Sequence, residues 1–406
     1  MSRIRILHLI TGLGLGGAET WLARLLERLP RERFDCRVAS LLELSGASGA
    51  LAGRIRAAGV PVQSLGLRRG AFGLPGASGV AGFLRLTALL RQWRPQVVQT
   101  WLYHADLLGL LAARASGCGA AVSWGLRSGY MDFSRYGLGT RLTVRACAAL
   151  SSWPEAVTVN SQAGAQSHRA LGYRPRRLVV LENGVDGKVF RPDAQARARL
   201  RAEWGVGEGN VLVGLAARLD PMKGHDVFCA AARRVLDRFP QARFVFCGQG
   251  TGVAEAPGGV LDALLTRHGL AGAALRLGRR DDMPAVLAAL DVLALPSLGE
   301  GFPNVLAEAL ACGTPVASLD VGEARALVGP GGFVAAVGAS TPGAGLDARA
   351  VALAACLEQA LALSPGERAR LGAAGREHVL ARYGLDAAVE RWAAHFESLG
   401  ARASLD

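Results

Sequence analysis

The stretch LPSLGEGFPNVLAEALACGTPV, Leu295 to Val316, reads as a strand end, a glycine-rich turn and a helix. The strand closes at Leu295–Pro296, the turn runs from Ser297 to Gly301, and the helix spans about Pro303 to Cys312. Proline suits a first helical turn, where its missing N–H costs nothing, and Gly313 stops the helix at the C′ position. Glu300 precedes the helix and Glu308 lies eight residues on, about one and a half turns in. The N–H groups of Phe302 to Val305 and the positive helix end face the same space. Amides suit phosphate oxygens and carboxylates suit hydroxyls, so the stretch is a candidate site for an anion that carries a polyol. The plainer reading is a helix with an acidic N-terminus and one surface glutamate.

Working outward, the strand Val211–Ala216 is followed by Ala217-Arg218-Leu-Asp-Pro-Met-Lys223-Gly-His-Asp226. The chain uses arginine almost everywhere; Lys188 and Lys223 are its two lysines. A lysine kept under that bias suggests a place where a compact ammonium matters. Arg218 and Lys223 fall in the turn between strand and helix. The strand Arg243–Cys247 exits through Gly248-Gln-Gly-Thr-Gly252, and the strand Leu275–Gly278 exits through Arg279-Arg280. At the N-terminus the apolar run Ile4–Ile10 leads into Gly12-Leu-Gly-Leu-Gly16-Gly17-Ala-Glu19 and a helix Thr20–Leu29. Strand, glycine-rich turn and helix form a phosphate cradle, and Gly12, Gly14 and Gly17 spell the dinucleotide fingerprint. That fingerprint needs an acidic residue at the far end of the second strand. Asp35 instead precedes the strand Cys36–Leu42, which argues against a dinucleotide.

Together these motifs resemble the large GT4-type family of retaining glycosyltransferases, over about residues 4–399. The resemblance rests on Gly-Gly-Ala-Glu at 16–19, Asn-Gly-Val-Asp at 183–186, Arg218-x4-Lys223 and Glu300-x7-Glu308, in that order. It implies an α/β chain of GT-B fold, two Rossmann-like domains facing a central cleft. It implies a donor site in which Glu300 lies by the sugar, Glu308 bonds the ribose, and Arg218 and Lys223 grip the diphosphate. Gly301, Phe302, Pro303 and Asn304 complete that stretch; Gly248 belongs to a neighbouring exit loop, and Arg279 and Arg280 flank the base. Gly16 and Gly17 let the backbone approach donor and acceptor. Arg218, Lys223 and Glu300 are the implied catalytic residues, together with His104.

His104 follows the strand Val97–Thr100, at the edge where open α/β sheets hold ligands. It would orient an acceptor hydroxyl or touch the donor sugar, or be an ordinary helix-start histidine. Many relatives place a histidine after the strand Val122–Leu126. Here Arg127 stands there, as in a subset with W-x-[IL]-R; it would clamp an acidic acceptor group or be a surface charge. Residues 130–150 set Arg135, Arg141 and Arg145 among Tyr, Phe and Leu, which suits a membrane surface or a solvated face. The expected domains are 1–186 with a returning helix about 384–406, and 187–383, which opens with a linker near Gly187–Gly209 that contains an Arg- and Ala-rich helix.

Residues 1–182 carry 23 Lys and Arg against 9 Asp and Glu, whereas residues 183–406 carry 23 against 24. A basic first half implies an acidic partner. No helix-turn-helix, zinc or RNA-binding pattern accompanies it, so an anionic membrane is expected rather than nucleic acid. Seven scattered cysteines without CxxC suggest reduced thiols in a cytoplasmic protein. The N-terminal apolar run breaks into glycines and reads as a strand rather than a signal, and no run of 18 apolar residues suggests a membrane span. No carboxylate cluster suggests a metal. The expectation is a metal- and cofactor-independent enzyme, peripheral on the inner membrane face. It would move a hexose-type sugar from UDP or GDP to a lipid-linked or polysaccharide hydroxyl. A nucleotide-sugar epimerase on the same fold, or an NAD-dependent oxidoreductase, are the alternatives.

Overall fold

A computed structural model describes residues 3–68, 77–131, 133–207, 209–255, 258–338 and 344–402. Most of the basic, glycine-rich loop expected from Arg68 onward (69–76) lies outside them. The chain forms two compact units: Met1–Gly184 with Asp386–Asp406, and Val185–Leu385.

The first unit is built on seven parallel strands: β1 (Ile4–Ile10), β2 (Phe34–Leu42), β3 (Val62–Leu67), β4 (Val97–Trp101), β5 (Ala121–Leu126), β6 (Ala156–Val159) and β7 (Leu178–Val180). Their order is β3-β2-β1-β4-β5-β6-β7. β4, β5 and β6 are buried along their whole length, as apolar runs in a sheet covered on both faces must be. The last helix, Leu385–Arg402, closes this unit with an aromatic seam. Trp392 stacks on Trp101 at 5.2 Å between ring centroids, and Phe396 meets Phe34 and His8 edge-on. Arg33 binds Glu390 and Glu397 of the helix, and Ser123 Oγ lies 3.0 Å from His395 Nε2.

The second unit holds six parallel strands: β8 (Val211–Ala216), β9 (Ala242–Cys247), β10 (Ala274–Gly278), β11 (Val292–Leu295), β12 (Val316–Asp320) and β13 (Gly332–Gly338). Their order, β10-β9-β8-β11-β12-β13, repeats the doubly wound pattern of the first unit. β13 and the helix Leu346–Ala362 carry no clear sequence signal. Gly332 is there for close approach, since a Cβ on it would lie 2.0 Å from Val316 O. The Arg- and Ala-rich helix expected within the linker is present, and it is packed rather than free. Asp193 caps the helix Ala194–Glu203, and Arg197 and Arg201 converge on Asp291 just before β11, at 2.5 and 3.0 Å. Asp291 also accepts from Leu212 N at 2.7 Å, fixing that helix to the start of β8.

Candidate active site

In the second unit the strand order reverses between β8 and β11, and ligands of open α/β sheets bind beyond the strand ends at such a switch point. The exits of these two strands carry Arg218 and Lys223, and Glu300 and Glu308. Asp220 caps a single turn Pro221–Lys223 by accepting from Met222 N at 2.9 Å. Gly224 follows with φ +67°, and a Cβ there would lie 2.1 Å from Pro296 O, so only glycine lets the two exits touch. Leu298 N donates to Met222 O at 2.9 Å and locks the loops together. The outcome is a direct ion pair: Lys223 Nζ lies 2.6 Å from Glu300 Oε1, with side chains 25% and 13% exposed.

Ser297, buried at the end of β11, donates its hydroxyl to the same Glu300 oxygen at 2.7 Å. The sequence reading passed over it, although Ser297-x-x-Glu300 has the form of a capping box. Here the serine holds the carboxylate rather than a helix end. On the other side Glu323 N donates to Gly301 O at 3.0 Å, and Gly322 (φ +55°) has no room for a Cβ beside Glu300 O and Gly301 O. Glu300 is thus fixed from β8, β11 and β12 at once.

The helix begins at Asn304, with Pro303 as its extended N-cap rather than within the first turn. Pro303 offers no side-chain cap and no acidic residue stands in the first turn, which leaves the field of this end suited to an anion. Phe302 turns its ring into the core against Tyr383, 5.5 Å between centroids, so its side chain is taken up by packing. Glu308 is half-buried in the helix.

Arg218 is exposed and paired to Asp220, 2.8 Å from Nη2 to Oδ2. Gly248 has φ +145°, and a Cβ there would lie 2.2 Å from Ala217 O, so glycine lets the β9 exit lie against Arg218 N. Arg279 directs its side chain to Asp281, while its main-chain N–H donates to Glu255 Oε1 at 3.0 Å. The same carboxylate accepts from Gly250 N at 2.6 Å, and these amide bonds hold Glu255 below the usual carboxylate pKa. No sequence signal marked Glu255, which occupies the main-chain amide of Arg279, one of the two arginines expected to flank the base. Arg280 pairs with Asp282 at 2.7 Å.

Gly16, Gly17, His104 and Arg127 belong to the first unit. Gly16 is the N-cap of the helix Gly17–Arg28, and Glu19 folds back over it, so close that a Cβ on Gly16 would lie 2.2 Å from Glu19 Oε2. A carboxylate on that helix end opposes a pyrophosphate there. Asp35 does open β2 at its N-terminal end, in register with Arg5. An acidic residue missed in the sequence, Glu43, follows the far end of β2 and is held by Arg68 Nε at 3.0 Å.

His104 is half-buried in the first turn of the helix Tyr103–Ser116. Its N-cap, Leu102, has φ +74° and ψ 151°, a conformation nearly reserved for glycine and typical of functional sites. Arg127 is no surface charge. Its guanidinium lies between the rings of Trp101 and Trp392, 4.6 and 4.9 Å from their centroids, and donates from Nη1 to Leu181 O. Burial pulls its pKa down to about 9 against the pull of nearby Asp106, so it remains charged at neutral pH. Its Nε and Nη2 are closed to solvent without a hydrogen-bond partner. Among the described residues no three His, Cys, Asp or Glu side chains are grouped to hold a metal ion.

Residues 15–188 match the family model described as Glycosyltransferase Family 4, and residues 210–359 match Glycosyl transferases group 1. D-inositol 3-phosphate glycosyltransferase of Kribbella flavida is 34% identical over 218 residues, 51% of this chain and 48% of that protein. The enzyme of the same name from Segniliparus rotundus is 35% identical over 159 residues, 36% of this chain and 33% of that protein. The matched stretches therefore span a third to a half of these relatives. Among solved structures, Anabaena HepE in complex with UDP-glucose has a TM-score of 0.78 at 23% identity, covering 98% of this chain and 100% of that one. Sucrose-phosphate synthase of Thermosynechococcus elongatus has 0.77 at 19% identity, covering 98% of this chain and 100% of that one. Two Rossmann-like units of matching strand order, and family models that between them take up most of the chain, agree: it belongs to the GT4-type glycosyltransferases of GT-B fold.

Proposed function

We propose that the protein transfers a hexose-type sugar from a UDP- or GDP-linked donor to a hydroxyl of a lipid-linked or polysaccharide acceptor, with retention at the anomeric carbon. The Lys223–Glu300 pair at the switch point carries this reading. A donor diphosphate entering beside Arg218 and the N-terminal helix end draws Lys223 toward its phosphates. Glu300, still held by Ser297, is then released to accept the sugar hydroxyls. Breaking the bond from the anomeric carbon to phosphate concentrates negative charge on the leaving diphosphate. Fixed cations stabilise that charge more in the transition state than in the ground state. The acceptor oxygen bonds the anomeric carbon on the face the phosphate leaves, and its proton passes to the departing phosphate oxygen. No protein nucleophile, resident cofactor or metal is required by this scheme. The solved complexes of HepE with UDP and with UDP-glucose support a nucleotide-sugar donor.

The basic first half favours an anionic, membrane-borne acceptor reached from the cytoplasmic side. Among the described residues no helix is long and apolar enough to cross a membrane. The relatives' name, D-inositol 3-phosphate glycosyltransferase, favours a second acceptor class, a soluble phosphorylated polyol. The test is turnover of UDP- and GDP-sugars with a short polyprenyl-diphosphate glycan or with inositol phosphate, in the presence of EDTA, with product configuration read by NMR. A product of retained configuration on the lipid-linked acceptor supports the reading. Inversion, or abolition by EDTA, overturns the mechanism; exclusive use of inositol phosphate replaces the acceptor.

A further inference from the structure

Asp106 is closed to solvent near the start of the helix Tyr103–Ser116, two residues beyond His104. Its Oδ1 accepts from Thr100 Oγ1 at 2.5 Å and from Gly125 N at 3.2 Å. Thr100 belongs to β4 and Gly125 to β5, so one carboxylate oxygen ties the helix to both strand ends. The same segments also meet through their main chains. Leu102 N donates to Gly125 O at 3.0 Å, and Asp106 N to Leu102 O at 2.9 Å. A Cβ on Gly125 would lie 2.4 Å from Thr100 O, so glycine admits this close approach. A leucine at φ +74° persists only where its surroundings over-determine it, and these bonds do so on either side of Leu102.

We propose that Asp106 is a positioning residue for the transfer reaction: it fixes the helical turn that carries His104 against the strand end that leads to Arg127. The inference rests on the transferase reading above. The residue type supports it. An asparagine would offer the same Oδ1 to Thr100 and Gly125 without the cost of burying a charge. A carboxylate here has a further partner, the buried guanidinium of Arg127 held between Trp101 and Trp392. Burial raises the Asp106 pKa to about 7, and the bonds from Thr100 and Gly125 and the charge of Arg127 oppose that rise. Its Oδ2 is closed to solvent without a hydrogen-bond partner, so Arg127 balances it by charge alone. With no surface of its own, Asp106 does not touch substrate and acts through the half-buried His104.

The test is sugar transfer from UDP- and GDP-sugars to the acceptors named above, at about pH 8, where Asp106 is ionised. Wild type is compared with Asp106→Asn, Thr100→Val and Thr100→Ser, each also in a His104→Ala background. Thr100→Val keeps the side-chain shape and removes the hydroxyl that Asp106 accepts, whereas Thr100→Ser keeps the hydroxyl; this pair carries the test where Asp106→Asn unfolds. Asp106→Asn and Thr100→Val should lower kcat about tenfold, with the donor KM and the affinity for nucleoside diphosphate unchanged. Thr100→Ser should keep most of the activity. In the His104→Ala background the same substitutions should cost less than about twofold, because the residue they position is gone. The proposal is overturned if Thr100→Val turns over as the wild type does, if the losses multiply in full without His104, or if they fall on the donor KM. A wild type that transfers sugar to no acceptor contradicts the proposed function instead. The imidazole resonance of His104, assigned by its absence from His104→Ala, then reads the positioning by itself. It should shift in Thr100→Val and hold in Thr100→Ser; a resonance unmoved in Thr100→Val overturns the role of Asp106.

Discussion

Glu300 has one oxygen shared by Lys223 and Ser297, and this small triangle sets what single substitutions should do. Lys223→Ala leaves a largely buried carboxylate without its cation and should destabilise the free protein by about 1–3 kcal/mol. Adding Glu300→Gln should recover part of that loss in thermal unfolding while activity stays absent; no recovery would mean that the pair is not what holds the loops. Ser297→Ala removes a bond to a charged acceptor and should lower kcat about tenfold with little change in KM, and Ser297→Thr should restore most of it. A KM effect alone would assign Ser297 to donor binding instead. Lys223 and Glu300 stood out in the sequence, one by scarcity and the other by its turn-and-helix setting. Ser297 did not, because its role lies in a side-chain contact that spacing alone does not reveal.

The switch-point exits depend on glycines that replace no chemistry but admit close backbones. Gly224→Ala combines a positive φ, costing about 1 kcal/mol or more, with a Cβ 2.1 Å from Pro296 O. It should lower both the melting temperature and nucleotide affinity; a variant with normal affinity would show that the exits need not touch. Glu255 occupies the Arg279 amide, so a base that takes this amide must displace it. Glu255→Ala should tighten nucleoside diphosphate binding severalfold by calorimetry, and weaker binding would mean that the carboxylate itself reads the base. The strands at 4–10, 97–101, 121–126, 211–216 and 292–295 were legible as short apolar runs. β13, GFVAAVG, was not, because glycine and alanine give little contrast at an edge. The helix Ala194–Glu203 was legible inside the linker from its Arg- and Ala-rich composition; its packing was not, because its arginines are fixed by Asp291, a partner about ninety residues away in sequence that periodicity cannot see.

At the scale of the molecule, the first unit should be acid-sensitive. Burial holds His8 and His395 neutral, with pKa pushed from 6.5 down to about 3. The unfolded chain takes up these two protons below pH 6.5 and the folded unit does not, so stability falls with pH. Asp106 acts in the opposite sense: burial raises it from 3.8 to about 7, so the folded unit gains its proton first. His168, whose pKa burial also lowers, adds to these two, so the histidines outweigh the one aspartate and stability falls as the pH drops from roughly 6 to 4. Urea unfolding across that range checks the slope, and His395→Gln should flatten it; stability that rises on acidification would contradict the assignment. The measurement that bears most directly on the donor site is thermal stabilisation by UDP, GDP and NAD, on wild type and Lys223→Ala. A nucleoside diphosphate at about a hundred times its Kd should stabilise by roughly 2.7 kcal/mol, and Lys223→Ala should lose most of it. Stabilisation by NAD alone, or equal stabilisation of the two proteins, would contradict a donor site built on Lys223 and Glu300.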